Sequence, residues 1–172
     1  MHYLRRMRRF RFHILYSALG LALMASVASC GPQPDFALEH KLHGADWHQD
    51  SLLLFEVNIE DTTQDYRVMM VLAYGVDYPY QNAYLFRDIL SEAQTEYQDT
   101  VELTLAKPDG QWTGRGYSSV KTLELPYLDQ LVRFPMKGRY IFRFKQGMRD
   151  EPLHGIQSLS LMLYPETNEP ES

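Results

Sequence analysis

Cys30 is the only cysteine among 172 residues, which excludes an internal disulfide and any zinc site built from several thiolates. Basic charge is scarce after the N-terminus. The first 29 residues hold five arginines (Arg5, Arg6, Arg8, Arg9 and Arg11) and no acid. The remainder then carries 12 basic against 22 acidic groups, a net charge of −10. A body that acidic is a poor duplex nucleic-acid binder, because such affinity comes largely from neutralising phosphates. No apolar run reaches the roughly 20 residues that span a bilayer as a helix; the run ending at Val27 has about 15. Also missing are a nucleophile elbow, a phosphate-binding glycine loop and a helix-borne H-E-x-x-H. A Ser-His-Asp or paired-carboxylate site is a spatial arrangement that no spacing here signals, so no catalytic residue, enzymatic activity or cofactor is expected.

What is present begins with an N-terminal processing signal. The arginine-rich head precedes the apolar run from Ile14 to Val27 and the small residues of Val27-Ala28-Ser29-Cys30, the three parts of a secretory leader. Those four residues look like a bacterial lipobox, in which the cysteine thiol takes the lipid. Residues 1–29 are therefore expected to be cleaved, leaving Cys30 lipidated and residues 30–35 as a tether. Its prolines in Gly31-Pro32-Gln33-Pro34 favour extended backbone. Several acyl chains hold far more firmly than one, at about 0.8 kcal/mol per buried CH₂. No acidic cluster directly follows the cysteine as an export tag, which points to the periplasmic face.

Hydrophobic residues make up 45% and charged residues 23% of the chain, enough to bury one core. The apolar pattern has period two. Leu53, Phe55, Val57 and Ile59 share a face, as do Tyr66, Val68, Met70, Leu72, Tyr74 and Val76. The other face of 66–76 is mixed enough for a central strand. Residues 100–106 alternate about Val101, Leu103 and Leu105, and 139–145 about Tyr140, Phe142 and Phe144. Leu159, Leu161 and Leu163 close the series. Shorter candidates cover 36–40, 85–90, 120–125 and 131–134, with a helical alternative only at 85–97, where charged and apolar residues mix without a clear period. Turn chemistry at Pro108-Asp109-Gly110, Lys137-Gly138 and Gly155 separates the runs. The expected fold is all-β, an antiparallel jelly-roll-like sandwich over 36–164, with a flexible acidic tail at 165–172.

His40, His43 and His48 cluster in sequence, but without diagnostic metal spacing, and the expectation is solvated histidines and no metal. The informative stretches are aromatic and polar. Residues 77–86, Asp77-Tyr78-Pro79-Tyr80-Gln81-Asn82-Ala83-Tyr84-Leu85-Phe86, gather tyrosines around a proline. They suit either a structural corner or a contact surface, since tyrosine gives large, stiff, amphipathic area. Residues 111–117 place Trp112, expected to cover the core, beside Gly114 and Gly116. Residues 146–153 carry Met148 and Arg149; the arginine can pair with Asp150 or Glu151, or reach a partner's carboxylate. Tyr78, Tyr80, Asn82, Trp112, Met148 and Arg149 are thus the candidate partner-binding residues. A rival reading is a small carbohydrate-binding lipoprotein stacking sugars on an exposed row of Trp47, Trp112, Tyr78 and Tyr80.

Behind the lipobox, Asp61-Thr62, Tyr78-Pro79-Tyr80-Gln81-Asn82 and Asp109-Gly110-Gln111-Trp112-Thr113-Gly114-Arg115-Gly116 occur in that order. Phe134-Pro135, Gly138-Arg139-Tyr140, Gln146-Gly147-Met148-Arg149 and Leu153-His154-Gly155-Ile156 follow. The ordered set resembles the gliding-motility lipoprotein GldH family, with Ala83 standing where the family usually has leucine or a similar apolar residue. The resemblance implies an outer-membrane lipoprotein needed for gliding and associated with type IX secretion. It implies partners among envelope proteins of that machinery, and neither an enzymatic activity nor a cofactor.

Overall fold

A computed structural model describes residues 32–92 and 94–166. The expected leader, Cys30 and most of the acidic tail lie outside them. The strands are β1 (Phe36–Lys41), β2 (Asp46–Trp47), β3 (Leu53–Ile59), β4 (Asp65–Gly75), β5 (Asn82–Leu90) and β6 (Thr95–Thr104). They continue with β7 (Val120–Pro126), β8 (Val132–Arg133), β9 (Gly138–Gln146), β10 (Leu153–His154) and β11 (Ile156–Pro165), and the described residues contain no α-helix.

One sheet runs β1-β11-β4-β7 with β8 beside β4; the other runs β3-β9-β5-β6. Among the eight long strands, the first pairs with the last (β1 with β11), the second with the seventh (β3 with β9), β4 with β7 and β5 with β6, all antiparallel. Successive pairs alternate between sheets, as if one long hairpin had been rolled over itself. That is the jelly-roll connectivity expected from the alternating patterns.

The core forms where the two inner faces meet. On β3, Leu53, Phe55, Val57 and Ile59 are buried while Leu54, Glu56 and Asn58 are exposed. Phe55 lies opposite Phe142 and Leu53 opposite Phe144. In the other sheet Leu72, Met70 and Val68 face Leu159, Leu161 and Leu163. Each such side chain contributes about 1.5–3 kcal/mol on burial. On β4, Met69, Val71 and Ala73 are half-buried on the outer face, in keeping with its position between β11 and β7.

Several boundaries differ from the sequence reading. β4 stops at Gly75, so Val76 is 45% exposed instead of sharing the inner face. β6 begins at Thr95, and the segment 131–134 yields only the two-residue β8. The helical alternative over 85–97 does not form; the end of β5 and the start of β6 fall there. The strand expected over 85–90 does form, as part of β5; what blurred its period is Arg87, which sits on its inner face with Ala83, Leu85 and Ile89 while Tyr84 and Phe86 point outward. Inside the sandwich Arg87 donates from Nε and Nη2 to both Asp99 carboxylate oxygens at 2.7 Å. Its Nη1 reaches the Tyr127 carbonyl, and its guanidinium lies 4.4 Å from the Tyr127 ring centroid.

Burial alone would raise the Asp99 pKa, but hydrogen bonds from Arg87 and Tyr97 and the Arg87 charge outweigh it, and the net shift is downward. Asp65 is lowered by its bonds from Arg133, and Asp61 by bonds from Thr63. A carboxylate with a lowered folded pKa contributes stability that is complete above the unfolded value of about 4 and is lost as pH falls through the folded value. Thermal melts should therefore change little from pH 7 to about 5 and fall steeply below about 4. Asp99→Asn should lower the neutral-pH melting temperature and flatten that acid limb.

Candidate functional site

At one pole of the sandwich the β4–β5 connection, the start of β5 and the β9–β10 loop enclose a groove of about 370 Å³, lined by Tyr80, Tyr84, Gly147, Met148 and Arg149. Tyr80, in its wall, is the outer end of a run of edge-on rings. Trp112 lies 5.5 Å from Tyr74, Tyr74 lies 6.4 Å from Tyr78, and Tyr78 lies 5.9 Å from Tyr80. Edge-to-face contacts of this kind add roughly 0.5–1.5 kcal/mol each beyond area burial. The Tyr74 hydroxyl donates to the Leu105 carbonyl and accepts from the Gly114 N–H, both at 3.0 Å. A side chain at Gly114 would collide with that hydroxyl, its Cβ only 2.6 Å away. Tyr78 donates to the Asn82 carbonyl at 2.9 Å, closing the corner. The Tyr80 hydroxyl reaches across to the Asp150 carboxylate at 2.6 Å, which ties the two loops together.

The β9–β10 loop is equally fixed. Gln146 is 1% exposed; its side chain donates to the Asp150 carbonyl at 2.9 Å and accepts from the Met148 N–H at 2.7 Å. The Gly147 N–H donates to the Tyr84 carbonyl at 2.7 Å, and the Tyr84 N–H points at the Met148 sulfur at 3.4 Å. From the β2–β3 connection, Gln49 donates its side-chain amide to the Met148 carbonyl and its N–H to Glu151. His48 also meets Glu151, at 2.8 Å. The groove is therefore preorganised: its walls are bonded to the body of the sandwich before any ligand arrives.

Its electrostatics follow from those bonds. The hydrogen bond to Asp150 raises the Tyr80 pKa, keeping the phenol a neutral donor. The backbone bond from Gln49 and the side-chain bond from His48 lower that of Glu151. Both acids next to Arg149 are thus engaged elsewhere. Arg149 is exposed, and among the described residues it makes no hydrogen bond or ion pair.

Of the sequence-derived candidates, the fold brings Tyr80, Met148 and Arg149 together. Asn82 is half-buried at the rim, donating to Glu102 at 2.7 Å. Tyr78 is 4% exposed and belongs to the core beneath the groove rather than to the contact surface. Trp112 is half-buried at the far end of the ring series, in the covering position expected of it. Trp47 is fully buried, its indole N–H donating to the Ser51 carbonyl at 2.9 Å. With Trp47 and Tyr78 inside, the four residues Trp47, Trp112, Tyr78 and Tyr80 do not form one exposed aromatic row. Tyr84 and Gly147 were not singled out; Tyr84 lay in the aromatic stretch and Gly147 in the Met148–Arg149 stretch, so the signal was present but diffuse.

The histidines are dispersed. His40 bonds the Leu54 carbonyl and packs edge-on against Phe55, while His48 is on Glu151. No three potential ligands converge on a metal position among the described residues. A second recess of about 380 Å³, lined by Met69, Thr113, Arg115, Thr122, Leu123 and Glu124, gathers none of the candidate residues.

Comparison with known proteins agrees with this arrangement of motifs. A model of the family described as GldH lipoprotein matches residues 36–163. The gliding motility lipoprotein GldH of Flavobacterium johnsoniae is 32% identical over 143 residues, 81% of this chain and 87% of that protein. A gliding motility lipoprotein GldH homolog from Christiangramia forsetii is 32% identical over 133 residues, 77% of this chain and 80% of that protein. Among solved structures, dimeric latent PorU from Porphyromonas gingivalis aligns with 80% of this chain and 13% of its own at 8% identity, with a TM-score of 0.35, too faint to argue from. Since the family model runs from β1 into β11 and both relatives align with more than three-quarters of the sequence, the chain belongs to the GldH lipoprotein family.

Proposed function

We propose that the protein is a non-enzymatic docking or assembly component of the gliding machinery and of the type IX secretion apparatus associated with it. It is held on the periplasmic face of the outer membrane by lipid on Cys30. The observation that carries this reading is membership of a family whose named relatives are gliding motility lipoproteins. Two features support it. The only cysteine follows Val27-Ala28-Ser29 at the lipobox position, and residues 30–35 lead from it to β1 as a short tether. A rigid groove carrying an unpaired arginine is suited to holding a neighbour. Confinement to a membrane raises the effective concentration of such a domain near partners in the same envelope, so modest contacts suffice.

The test is fractionation and motility in the native host. Cys30→Ser should move the protein out of the membrane fraction or leave it as the unprocessed precursor, and should abolish gliding along with the deletion. An unchanged membrane fraction for Cys30→Ser, or normal gliding and secretion in the deletion strain, overturns the reading.

A further inference from the structure

We propose that the free edge of β6 takes up an extended segment of another envelope protein as an added strand. The segment pairs through its backbone with Gln98, Thr100 and Glu102. It turns apolar side chains toward the open flank between β6 and β7 and sets a lysine or arginine against Glu102 on the outer face. The proposal rests on the docking reading and adds the mode and the chemistry of the contact.

The backbone is available on one side of β6. In the order β3-β9-β5-β6 the last strand has a sheet neighbour on one side only. The Leu105 N–H donates to the Gln81 carbonyl, in the register that sets Leu103 opposite Ala83, Val101 opposite Leu85 and Asp99 opposite Arg87. The Tyr84 carbonyl instead accepts from Gly147, on the β9 side of β5. Backbone groups of successive strand residues point alternately to either side. Leu103, Val101 and Asp99 therefore bond β5, while Glu102, Thr100 and Gln98 point away from it. Thr104, next in that outward series, has its carbonyl taken by the Thr113 hydroxyl at 2.7 Å. Beside Gln98, Thr100 and Glu102 no strand or loop backbone pairs among the described residues.

Each of the other edges is at least partly blocked. Along β7, Arg115 exchanges N–H and C=O bonds with Thr122, both at 2.8 Å, and Pro126 has no N–H to offer. The Leu54 carbonyl at the edge of β3 is taken by His40 of β1, which ties the two sheets together along that flank. β1 itself has six residues and carries the charged Glu39 and Lys41.

The occupant's side chains follow from the two faces of β6. The inner residues of β3 are buried, whereas Tyr97 and Val101 on β6 and Leu123 and Leu125 on β7 are only half-buried. A strand added about 4.8 Å beyond β6 brings every second side chain over this apolar seam. β6 contains Glu96, Asp99 and Glu102 and neither lysine nor arginine. Asp99 is matched by Arg87. Glu96 and Glu102 make no ion pair among the described residues; Ser91, Gln94 and Asn82, all neutral, supply their hydrogen bonds. A second copy would set these acids, and a body of net charge −10, against their like. Opposite charges across a strand pair are favourable and like charges are not. The fitting segment is thus apolar on one face and basic on the other, with main-chain bonds supplying affinity.

The test uses the full lipidated chain in its native host, with the photo-crosslinking residue p-benzoylphenylalanine placed at Gln98 and, as a control, at fully exposed Tyr117. Adducts are sequenced by mass spectrometry. The expected adduct forms at 98 and not at 117, on a peptide in which apolar residues alternate with others that include lysine or arginine. Thr100→Pro deletes an N–H that the fold leaves unused, a change edge strands tolerate. It should lower the yield about tenfold at an unchanged melting temperature. Thr100→Val keeps the backbone and should hold the yield within about twofold, whereas Glu102→Lys should reduce it about threefold or more. An adduct with glycan, with lipid or with a second copy overturns the proposal. Equal yield at both positions, no adduct, or a yield indifferent to Thr100→Pro does so too. If Thr100→Pro melts early, hydrogen exchange decides. Residues 97–103 should exchange about tenfold more slowly in the crosslinked complex than in the free protein, and equal exchange overturns the proposal. A separate outcome divides it from the docking reading. If the deletion strain fails to glide but full gliding returns with a chain carrying both Thr100→Pro and Glu102→Lys, with an unchanged melting temperature, the edge proposal falls and the docking function stands.

Discussion

Arg87→Ala is expected to destabilise the domain by about 3–5 kcal/mol, the typical consequence of removing one partner of a buried ion pair. In a domain of this size that corresponds to a fall in Tm of roughly 10–20 °C. Arg87 is 6% exposed, between the sheets. Its guanidinium satisfies both oxygens of Asp99, reaches the Tyr127 carbonyl and covers the Tyr127 ring. Truncation would strand the less exposed part of the Asp99 carboxylate, leave that carbonyl without its donor and open a cavity beside Met70. An exposed arginine–aspartate pair is worth only about 0–1 kcal/mol, so the size of the loss distinguishes a core element from a surface decoration. Removing both charges with apolar replacements, Arg87→Met together with Asp99→Leu, should recover most of the stability, because no uncompensated charge then remains. Urea unfolding of the purified protein measures both variants. A loss below about 1 kcal/mol for Arg87→Ala would contradict the buried role.

The second large effect concerns Tyr78. Tyr78→Ala should destabilise by about 3–5 kcal/mol, as for other large aromatic truncations in cores. Tyr78→Phe, which deletes only the bond to the Asn82 carbonyl, should lose about 1–2 kcal/mol. The ring lies between Tyr74 and Tyr80, and the Tyr78 backbone sits directly against Gly155. Gly155 has φ of 87°, and a Cβ there would come within 3.0 Å of the Tyr78 Cα. The alanine variant should therefore also loosen Tyr80 and blur the groove above it, and any partner should bind more weakly in consequence. A residue acting only by contact would behave in the opposite way, leaving the melting temperature unchanged and weakening binding alone. Thermal melts of Tyr78→Ala, Tyr78→Phe and Tyr80→Phe separate the cases; Tyr80→Phe should change stability least, since its hydroxyl bond to Asp150 is only half-buried.

Strands with an uninterrupted two-residue alternation were legible in the sequence. β3, β9 and β11 each place apolar residues on one face, and a pleated strand packed on one side permits little else. β5 was legible only in part, as the strand candidate 85–90 with a helical alternative over 85–97, because its inner face carries Arg87 and its outer face Tyr84 and Phe86, inverting the expected polarity. That inversion is stable only because Asp99 on β6 and the Tyr127 carbonyl stand ready to receive the guanidinium, and neither neighbour is local in sequence. Tyr78 was ambiguous for a related reason. An amphipathic ring in a proline corner reads equally well as lid or as contact until Gly155 and Tyr74 are seen closing over it.

By itself the sequence determined the all-β class, the alternating core residues and the family. Those depend on short-range periodicity and on contiguous motifs. Tertiary structure decided which polar side chains remain unpaired and which loops meet. Met148 and Arg149 come to lie beside Tyr80, almost seventy positions earlier in the chain, only because β9 and β5 are hydrogen-bonded neighbours in one sheet. Arg149 makes no ion pair with the two acids that follow it, whose carboxylates meet Tyr80 and His48 from other parts of the chain. Pairing of that kind depends on distance in space, and a linear pattern of residue types does not contain it.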